Sequence, residues 1–258
     1  MLLSDKIKIK ITSQLAEICG IHTGDGYLRN DGKRRELDIS GNVEEKPYYD
    51  HHVIPLFQEI FNIKIQGKFF PSRNTYGFVI RDRKIIEFMN ILGFPFGKKT
   101  SIVEVPKVIL NTNDKIIKSR FLRGLFDTDG SLTFDRRHKG KYIEFKRKYH
   151  YYPRIILSTV SEKLNKQSSL LLKDLDIHHT LQTCEPKSAS NTRYRIWVLG
   201  KTQLQNWMKV VGIKNISKLT RYYIWKKFGF CPPNTTLEER TMILNNQLNP
   251  KSLYGPVR

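Results

Sequence analysis

Two aspartates, Asp25 and Asp129, carry the chemistry that the spacing of this sequence suggests. Each closes one of two similar stretches, Leu15-Ala-Glu-Ile-Cys-Gly-Ile-His-Thr-Gly-Asp-Gly-Tyr-Leu28 and Phe121-Leu-Arg-Gly-Leu-Phe-Asp-Thr-Asp-Gly-Ser-Leu132. Aligning Gly20 with Gly124 sets Asp25 on Asp129 and Gly26 on Gly130, an offset of 129 − 25 = 104 residues that reads as two copies of one unit. Both acids would stand at the negative end of a helix, one beside the other. Helix dipoles and like-charge repulsion both disfavour two bare anions there. A hard cation such as Mg²⁺ relieves that conflict, with phosphate oxygens supplying further ligands. A metal so held acidifies a bound water and stabilises the charge of a pentacovalent phosphorus, the division of labour in metal nucleases. A plain helix-ending Asp-Gly turn explains either copy alone; the matched pair favours the metal site.

The elements that must position this pair follow from periodicity. A first helix is expected over about 13–25, where Ala16, Gly20 and Gly24 recur every fourth residue and form one smooth stripe. The second opens at Asn113 or Asp114, carries Ile116, Ile117, Phe121 and Leu125, and ends at Asp129, with Gly124 and Thr128 as a shorter stripe. Glycines inside a helix cost about 1 kcal/mol each relative to Ala. The stripes are therefore expected to be the faces through which the two helices pack closely, bringing Asp25 and Asp129 together. Gly130 falls where a helix C-terminus wants a residue able to take φ > 0. Beyond Gly26, strands at 27–29 and 36–40 flank an Asp-Gly turn. A helix near 51–61, strands at 64–70 and 75–81 and a helix at 84–92 follow. The order repeats after Gly130: strands at 131–134, 142–146 and 154–159, a helix at 162–175, strands at 178–184 and 194–199, and a helix at 202–211. Gly212-Ile-Lys-Asn-Ile-Ser-Lys218 then takes the place of Gly93-Phe-Pro-Phe-Gly-Lys-Lys99, which pairs Lys218 with Lys99. Thr235-Thr-Leu-Glu238 reads as a capping box opening a short helix, and 249–258 as a loose tail. The chain is expected to divide at 1–110, 111–232 and 233–258.

The charge balance points to the partner. Of 258 residues, 45 are Lys or Arg and 24 are Asp or Glu, a formal net charge of +21. An excess of that size, spread along the chain, suits a long polyanion better than a small acidic substrate. Cys19, Cys184 and Cys231 are scattered without a CxxC pair, which argues against a zinc site or a disulfide framework and suits ordinary intracellular thiols. The N-terminus lacks an apolar signal segment and no uncharged run is long enough to span a bilayer. A soluble, intracellular protein without a membrane partner is expected.

The stretch Leu122-Arg-Gly-Leu-Phe-Asp-Thr-Asp-Gly130 resembles the LAGLIDADG motif of homing endonucleases at six of nine positions, and Gly20-Ile-His-Thr-Gly-Asp-Gly26 resembles its GDG-type variant. Thr23 stands where the family often has an acid, while the later acid, the catalytic one in the family, is kept. With the element order, the resemblance covers roughly residues 10–230. It implies an α+β fold of two pseudo-symmetric αββαββα units in one chain, acting as a monomer. The motif helices would lie at the pseudo-twofold axis, and two antiparallel sheets would form a saddle in the DNA major groove. The implied activity is site-specific cleavage of double-stranded DNA, one phosphodiester in each strand, as in intron homing. Asp25 and Asp129 would be the catalytic, metal-holding acids, with Gly24 and Thr128 before them at the metal. Mg²⁺ or Mn²⁺ would be the cofactor, and Ca²⁺ would support binding without cleavage. Lys99 and Lys218 fall where the family carries basic residues near the scissile phosphates, so they are expected to stabilise charge or organise water; surface lysines at a helix end are the plainer alternative. Asn42 is the candidate for the polar residue that many members carry before the second helix.

DNA contacts are expected on the strands and their turns, from Arg29, Lys33, Arg34, Arg35, Lys68, Arg73 and Arg81 in the first unit. In the second they come from Arg136, Arg137, Lys139, Lys141, Lys146, Arg193 and Arg195. Most would fix register on phosphates and a minority would read guanine edges. Because the two sets differ, the target should be asymmetric. Glu144-Phe-Lys146 fits the E-x-K of another nuclease class but leaves the first motif unexplained. The doublets His51-His52 and His178-His179 lack zinc spacing and suit interfacial or surface positions. Members of the fold also act as intron maturases that bind structured RNA, or as DNA-binding proteins that have lost cleavage. Retention of both acids favours the nuclease, since a pure binding protein gains nothing from paired carboxylates facing a polyanion.

Overall fold

Both motif stretches are helices that start on a side-chain cap. In the computed structural model, which describes residues 10–136, 148–185 and 191–254, α1 spans Ser13–Asp25 with the Thr12 hydroxyl accepting from the Leu15 N–H at 3.2 Å. Strands β1 (Gly26–Asn30) and β2 (Arg35–Asn42) follow, then a 3₁₀ turn (Val43–Glu45). A continuous helical run of α2 (Lys46–Tyr48), a π-turn (Tyr49–Val53) and α3 (Ile54–Phe61) comes next, then β3 (Lys68–Phe70), β4 (Thr75–Ile80) and α4 (Arg83–Ile91). After a short α5 (Lys107–Leu110), α6 (Lys115–Asp129) carries the second motif, with Asp114 accepting from the Ile116 and Ile117 N–H groups. The second unit continues with β5 (Ser131–Asp135), β6 (Tyr152–Thr159), α7 (Glu162–Asp174), β7 (Thr180–Cys184), β8 (Arg193–Leu199) and α8 (Lys201–Val210). Two further helices, α9 (Ile216–Phe228) and α10 (Leu237–Leu244), complete it.

Among the described residues the strands form two four-stranded antiparallel sheets with matching orders, β1-β2-β4-β3 and β5-β6-β8-β7. Side chains alternate across each strand, so each sheet has one core face. In the first it carries Leu28, Leu37, Ile39, Phe78 and Ile80; in the second, Leu132, Phe134, Ile155, Leu157, Ile196 and Val198. Helices cover these faces: the Phe57 ring lies edge-on to Phe78 at 5.1 Å, and Phe134 stacks on Trp225 at 5.9 Å. The opposite faces are open. No helix among the described residues is long and apolar enough to cross a membrane.

The two motif helices pack through the expected glycine faces. A methyl group on Gly20 would overlap the Phe121 carbonyl and stand 2.8 Å from the Leu125 nitrogen, and one on Gly124 would overlap the Glu17 carbonyl. Backbones this close leave no room for side chains. One turn away, a buried network crosses the same interface. The Glu17 carboxylate accepts from Arg123 Nε at 2.8 Å, from Arg123 Nη2, and pairs with His52 Nε2 at 2.7 Å. Burial alone would raise the Glu17 pKa, but His52 and Arg123 outweigh it and hold the acid below its usual range.

Four expectations need correction. Gly26 and Gly130 are extended, at φ −84° and −80°, not left-handed. They are glycines for want of space: a methyl group would overlap the His22 ring at Gly26 and the Phe126 ring at Gly130. The helix expected from residue 51 begins at Lys46, with Pro47 tolerated in its first turn. Residues 216–228, to which the sequence reading assigned no element, are a full helix, capped by Asn215 and ended by Gly229 at φ 78°. The capping box is Thr236 with Glu239, one residue later than expected, and the described part of the tail, up to Tyr254, is docked, with Tyr254 edge-on to Tyr149 at 5.1 Å. The strand expected at 142–146 lies outside the described residues.

Candidate functional site

The close α1–α6 contact ends at the two acids. A methyl group on Gly24 would stand 3.3 Å from the Asp129 Cγ and overlap Thr128, so the helix C-termini, and with them Asp25 and Asp129, are side by side. Burial pushes the Asp25 carboxyl up to about 7, and the nearby charges of Asp129 and Glu45 push the same way. Asp129 keeps solvent access, yet the protein around its carboxyl raises it above the usual range as well. A cavity of about 270 Å³ opens here, lined by Thr23, Gly24, Lys99, Asp129 and Arg193 among others.

Each helix end is capped by a lysine from further along the chain. Lys99 Nζ donates to the carbonyls of His22, Thr23 (2.7 Å) and Gly24 (3.0 Å). Lys218 Nζ donates to those of Phe126 (2.8 Å), Asp127 (2.6 Å) and Thr128 (2.8 Å). An ammonium has three donors, and here all three are used on carbonyls that a helix C-terminus otherwise leaves orphaned. Burial lowers both lysines, Lys99 to about 8, while the aspartates pull them back up. The paired placement matches the pairing of Gly212–Lys218 with Gly93–Lys99, and both lysines are tucked against the helix ends, so neither is a surface lysine.

Sequence reasoning missed a group of polar side chains behind Asp25. Tyr49, fully buried, donates its hydroxyl to Asp25 Oδ2 at 2.6 Å, and it is the first residue of the π-turn, an irregularity that often marks a working site. Gly41 leaves the room: a methyl group there would stand 2.6 Å from Asp25 Oδ2, 2.9 Å from Glu45 Oε2 and 2.9 Å from the Tyr49 hydroxyl. Glu45 Oε1 accepts from Asn215 Nδ2 at 2.6 Å, and Asn215 also donates to the Asp127 carbonyl at 2.7 Å, tying the units together. Asn42, the candidate for the polar residue, points elsewhere: its side chain caps the 3₁₀ turn by accepting from the Glu44 N–H at 2.9 Å. The Glu44-Glu45 doublet was the available signal, but nothing in its spacing says which acid turns inward.

The two halves are not chemically equal. Where the second unit has Asp127, fully buried and pushed by burial up to about 6, the first has Thr23, which donates back to the Cys19 carbonyl at 2.8 Å. His22, at the place of Phe126, is fully buried with neither ring nitrogen hydrogen-bonded among the described residues. Burial holds it far below its ordinary pKa, so it is a neutral packing ring against Phe94.

These residues fit a hard divalent cation. Two carboxylates with raised pKa values gain by trading protons for a metal. No cluster of three or more His, Cys, Asp or Glu suited to a metal occurs among the described residues, so a cation held by this pair would draw its further ligands from water or a bound anion, the habit of Mg²⁺. The Gly24 and Thr128 carbonyls each already accept from a lysine.

Most of the expected DNA contacts lie on or beside the open sheet faces, but many are already paired. Arg29 Nε donates to Asp31 Oδ2 at 2.7 Å, Arg73 pairs with Asp38 at 2.9 Å and Arg81 with Glu36 at 2.9 Å. Lys33, Arg34 and Arg35 are exposed at the β1–β2 turn, Lys68 reaches over the Phe70 ring, and Arg136 is exposed beside Tyr254. Arg193 and Arg195 alternate with the buried Ile196 and Val198 and so share the open face. Arg154, which the sequence reading passed over, shares that face, pairs with Asp135 at 3.0 Å and lies over the Trp197 ring at 5.0 Å. Arg137, Lys139, Lys141 and Lys146, and with them Glu144-Phe-Lys146, lie outside the described residues.

Comparison with known proteins agrees with this fold. Residues 117–212 match the LAGLIDADG-like domain. An A-type ATP synthase subunit from Pyrococcus abyssi is 26% identical over 215 residues, 83% of this chain and 18% of that one. The chain spans about a fifth of the length of the curated relatives it matches. Among solved structures, I-DmoI in complex with DNA and Mn superposes with a TM-score of 0.52 at 16% identity, covering 78% of this chain and 96% of that one. Mesophilic variants from the homing endonuclease I-DmoI give the same score and identity over 77% and 90%. At that identity the likeness is one of fold.

Proposed function

We propose that this chain, which belongs to the LAGLIDADG family, is a site-specific endonuclease that cuts both strands of a long asymmetric DNA target with the help of a divalent cation, Mg²⁺ or Mn²⁺. The observation that carries the reading is the side-by-side placement of Asp25 and Asp129 where the helices meet, flanked by two sheets with basic open faces. On this reading the open faces form the DNA saddle, and one chain suffices because it holds both acids. The proposed division is 1–110, 111–232 and 233–258, and one sheet in each of the first two segments supports it.

Asp25 and Asp129 would hold the cation. Bound there, it neutralises charge on the scissile phosphate and acidifies the attacking water. The protein's own groups prepare the site. Tyr49 fixes one oxygen of Asp25, leaving the other free of that bond for the cation. Lys99 and Lys218, with their donors committed to carbonyls, cancel the negative helix ends so that two carboxylates can be held together. Their role is to position the acids and set the local field, not to transfer protons. Arg193, at the rim of the cavity, would meet the phosphate backbone.

The test is selection from a randomised double-stranded library in Mg²⁺ and in Ca²⁺, with an Asp25→Asn/Asp129→Asn variant alongside. One long asymmetric site, cut in Mg²⁺ by the wild type only and bound by both proteins in Ca²⁺, is expected. Tight selective binding without cutting in any metal would make it a DNA-binding relative. Selection of no DNA would turn the search to structured RNA.

A further inference from the structure

A second cavity, of about 370 Å³, reaches Gly130, the residue after Asp129, and shares Lys218 with the site described so far. One wall is β5, which pairs only with β6 among the described residues and so has a free edge here, starting two residues after Asp129. The others are α9, through Ser217, Lys218 and Arg221, and the C-terminal segment, through Arg240. The cavity thus exists because residues 231–244 fold back onto α9.

Its charge is lopsided. Glu44 is the one carboxylate among the lining residues, and it is already engaged: Oε1 accepts from the Leu237 N–H at 2.6 Å and stands 3.7 Å from Arg240 Nη2. Arg240 is 1% exposed and locked, donating from Nε to the Thr220 hydroxyl at 3.0 Å and from Nη1 to the Thr235 carbonyl. Arg221 makes no hydrogen bond or ion pair among the described residues, yet it lies close enough to Arg240 to add to the burial that lowers that guanidinium's pKa. The Ser217 hydroxyl is buried and has no hydrogen-bond partner among the described residues. Two converging guanidiniums, one of them with an unspent planar fork, match the oxygens of a phosphate. The position, beside the strand that leaves Asp129, selects a polymer backbone over a free ion.

We propose that this cavity is a subsite for a DNA backbone phosphodiester close to the bond cleaved at Asp129, gripped by Arg221 and completed by the C-terminal segment. The proposal rests on the endonuclease reading above. Its test uses the full chain, the selected target in Ca²⁺, and the variants Arg221→Ala and Arg221→Lys, whose melting points confirm folding. For Arg221→Ala, affinity should fall about tenfold and the slope of log K against log salt should shrink by about 1. Arg221→Lys should restore the slope but only part of the affinity. A scan of single methylphosphonate linkages should weaken the wild type at a linkage near the cut, and leave Arg221→Ala no weaker there. If the wild type cuts its target while Arg221→Ala keeps the same slope and the same methylphosphonate profile, the subsite is wrong and the endonuclease stands. If the wild type selects no DNA, both fall.

Discussion

Asp25 is held between opposing demands. Burial and two neighbouring acids favour its proton, while the Tyr49 hydroxyl favours its charge. Removing that hydrogen bond in Tyr49→Phe should raise the Asp25 pKa further, so the rising limb of cleavage against pH should move about one unit to the alkaline side, as a lost bond to a charged group implies. A pH profile at saturating DNA checks it; an unmoved limb would deny Tyr49 its role. Linkage gives a second expectation. A carboxyl raised above its unfolded value contributes stability that is complete below the ordinary carboxylate pKa and is lost as pH rises through about 7. The metal-free protein should therefore weaken across that range, Mg²⁺ should raise its melting point more at pH 8 than at pH 6, and Asp25→Asn should flatten both trends. At this scale the acids and lysines were legible because two copies of a motif expose their shared residues. Tyr49, Glu45 and Asn215 were not, since each belongs to one half only and meets Asp25 or Asp127 through tertiary contact.

Among the elements, the α1–α6 contact is the one the rest is hung from. Gly20 and Gly124 are matched so tightly that Gly20→Ala must drive the helices apart; a cost of about 3 kcal/mol or more, at the upper end of overpacking, should lower the melting point by roughly 6–12 °C and disturb cleavage with it. A melting point within a degree of the wild type would contradict the packing. The stripe announced this contact because small residues every fourth position have few other uses. The element that escaped, α9, has a weakly amphipathic face with Tyr222, Tyr223, Trp225 and three lysines in thirteen residues, so its period was masked by aromatics, of which Trp225 stacks on Phe134 of β5. Its signals were the Asn215 cap and Gly229. The glycines after each motif misled in a different way: a close ring, not a turn, excludes their side chains.

For the molecule as a whole, the 45 lysines and arginines overstate the free positive charge that DNA would meet, because Glu36, Asp38 and Asp135 already pair with arginines on or beside the open faces. These pairs must open or be shared on binding, and exposed pairs are individually weak. Asp38→Asn should accordingly free Arg73 and strengthen binding to random DNA by about two- to fivefold at low salt, with selectivity reduced, an effect that competition binding would show. The same asymmetry reaches into the helix interface. Glu17 faces Arg123 across it, and the 104-residue offset sets Phe121 at the place of Glu17 and Cys19 at the place of Arg123. Two first units brought together would bury a pair of glutamates against cysteines, and two second units would bury arginines against phenylalanines. Made as separate polypeptides, the halves should therefore seek each other and shun themselves, a lock-and-key pairing of unlike siblings that no longer tolerates a return to the symmetric dimer.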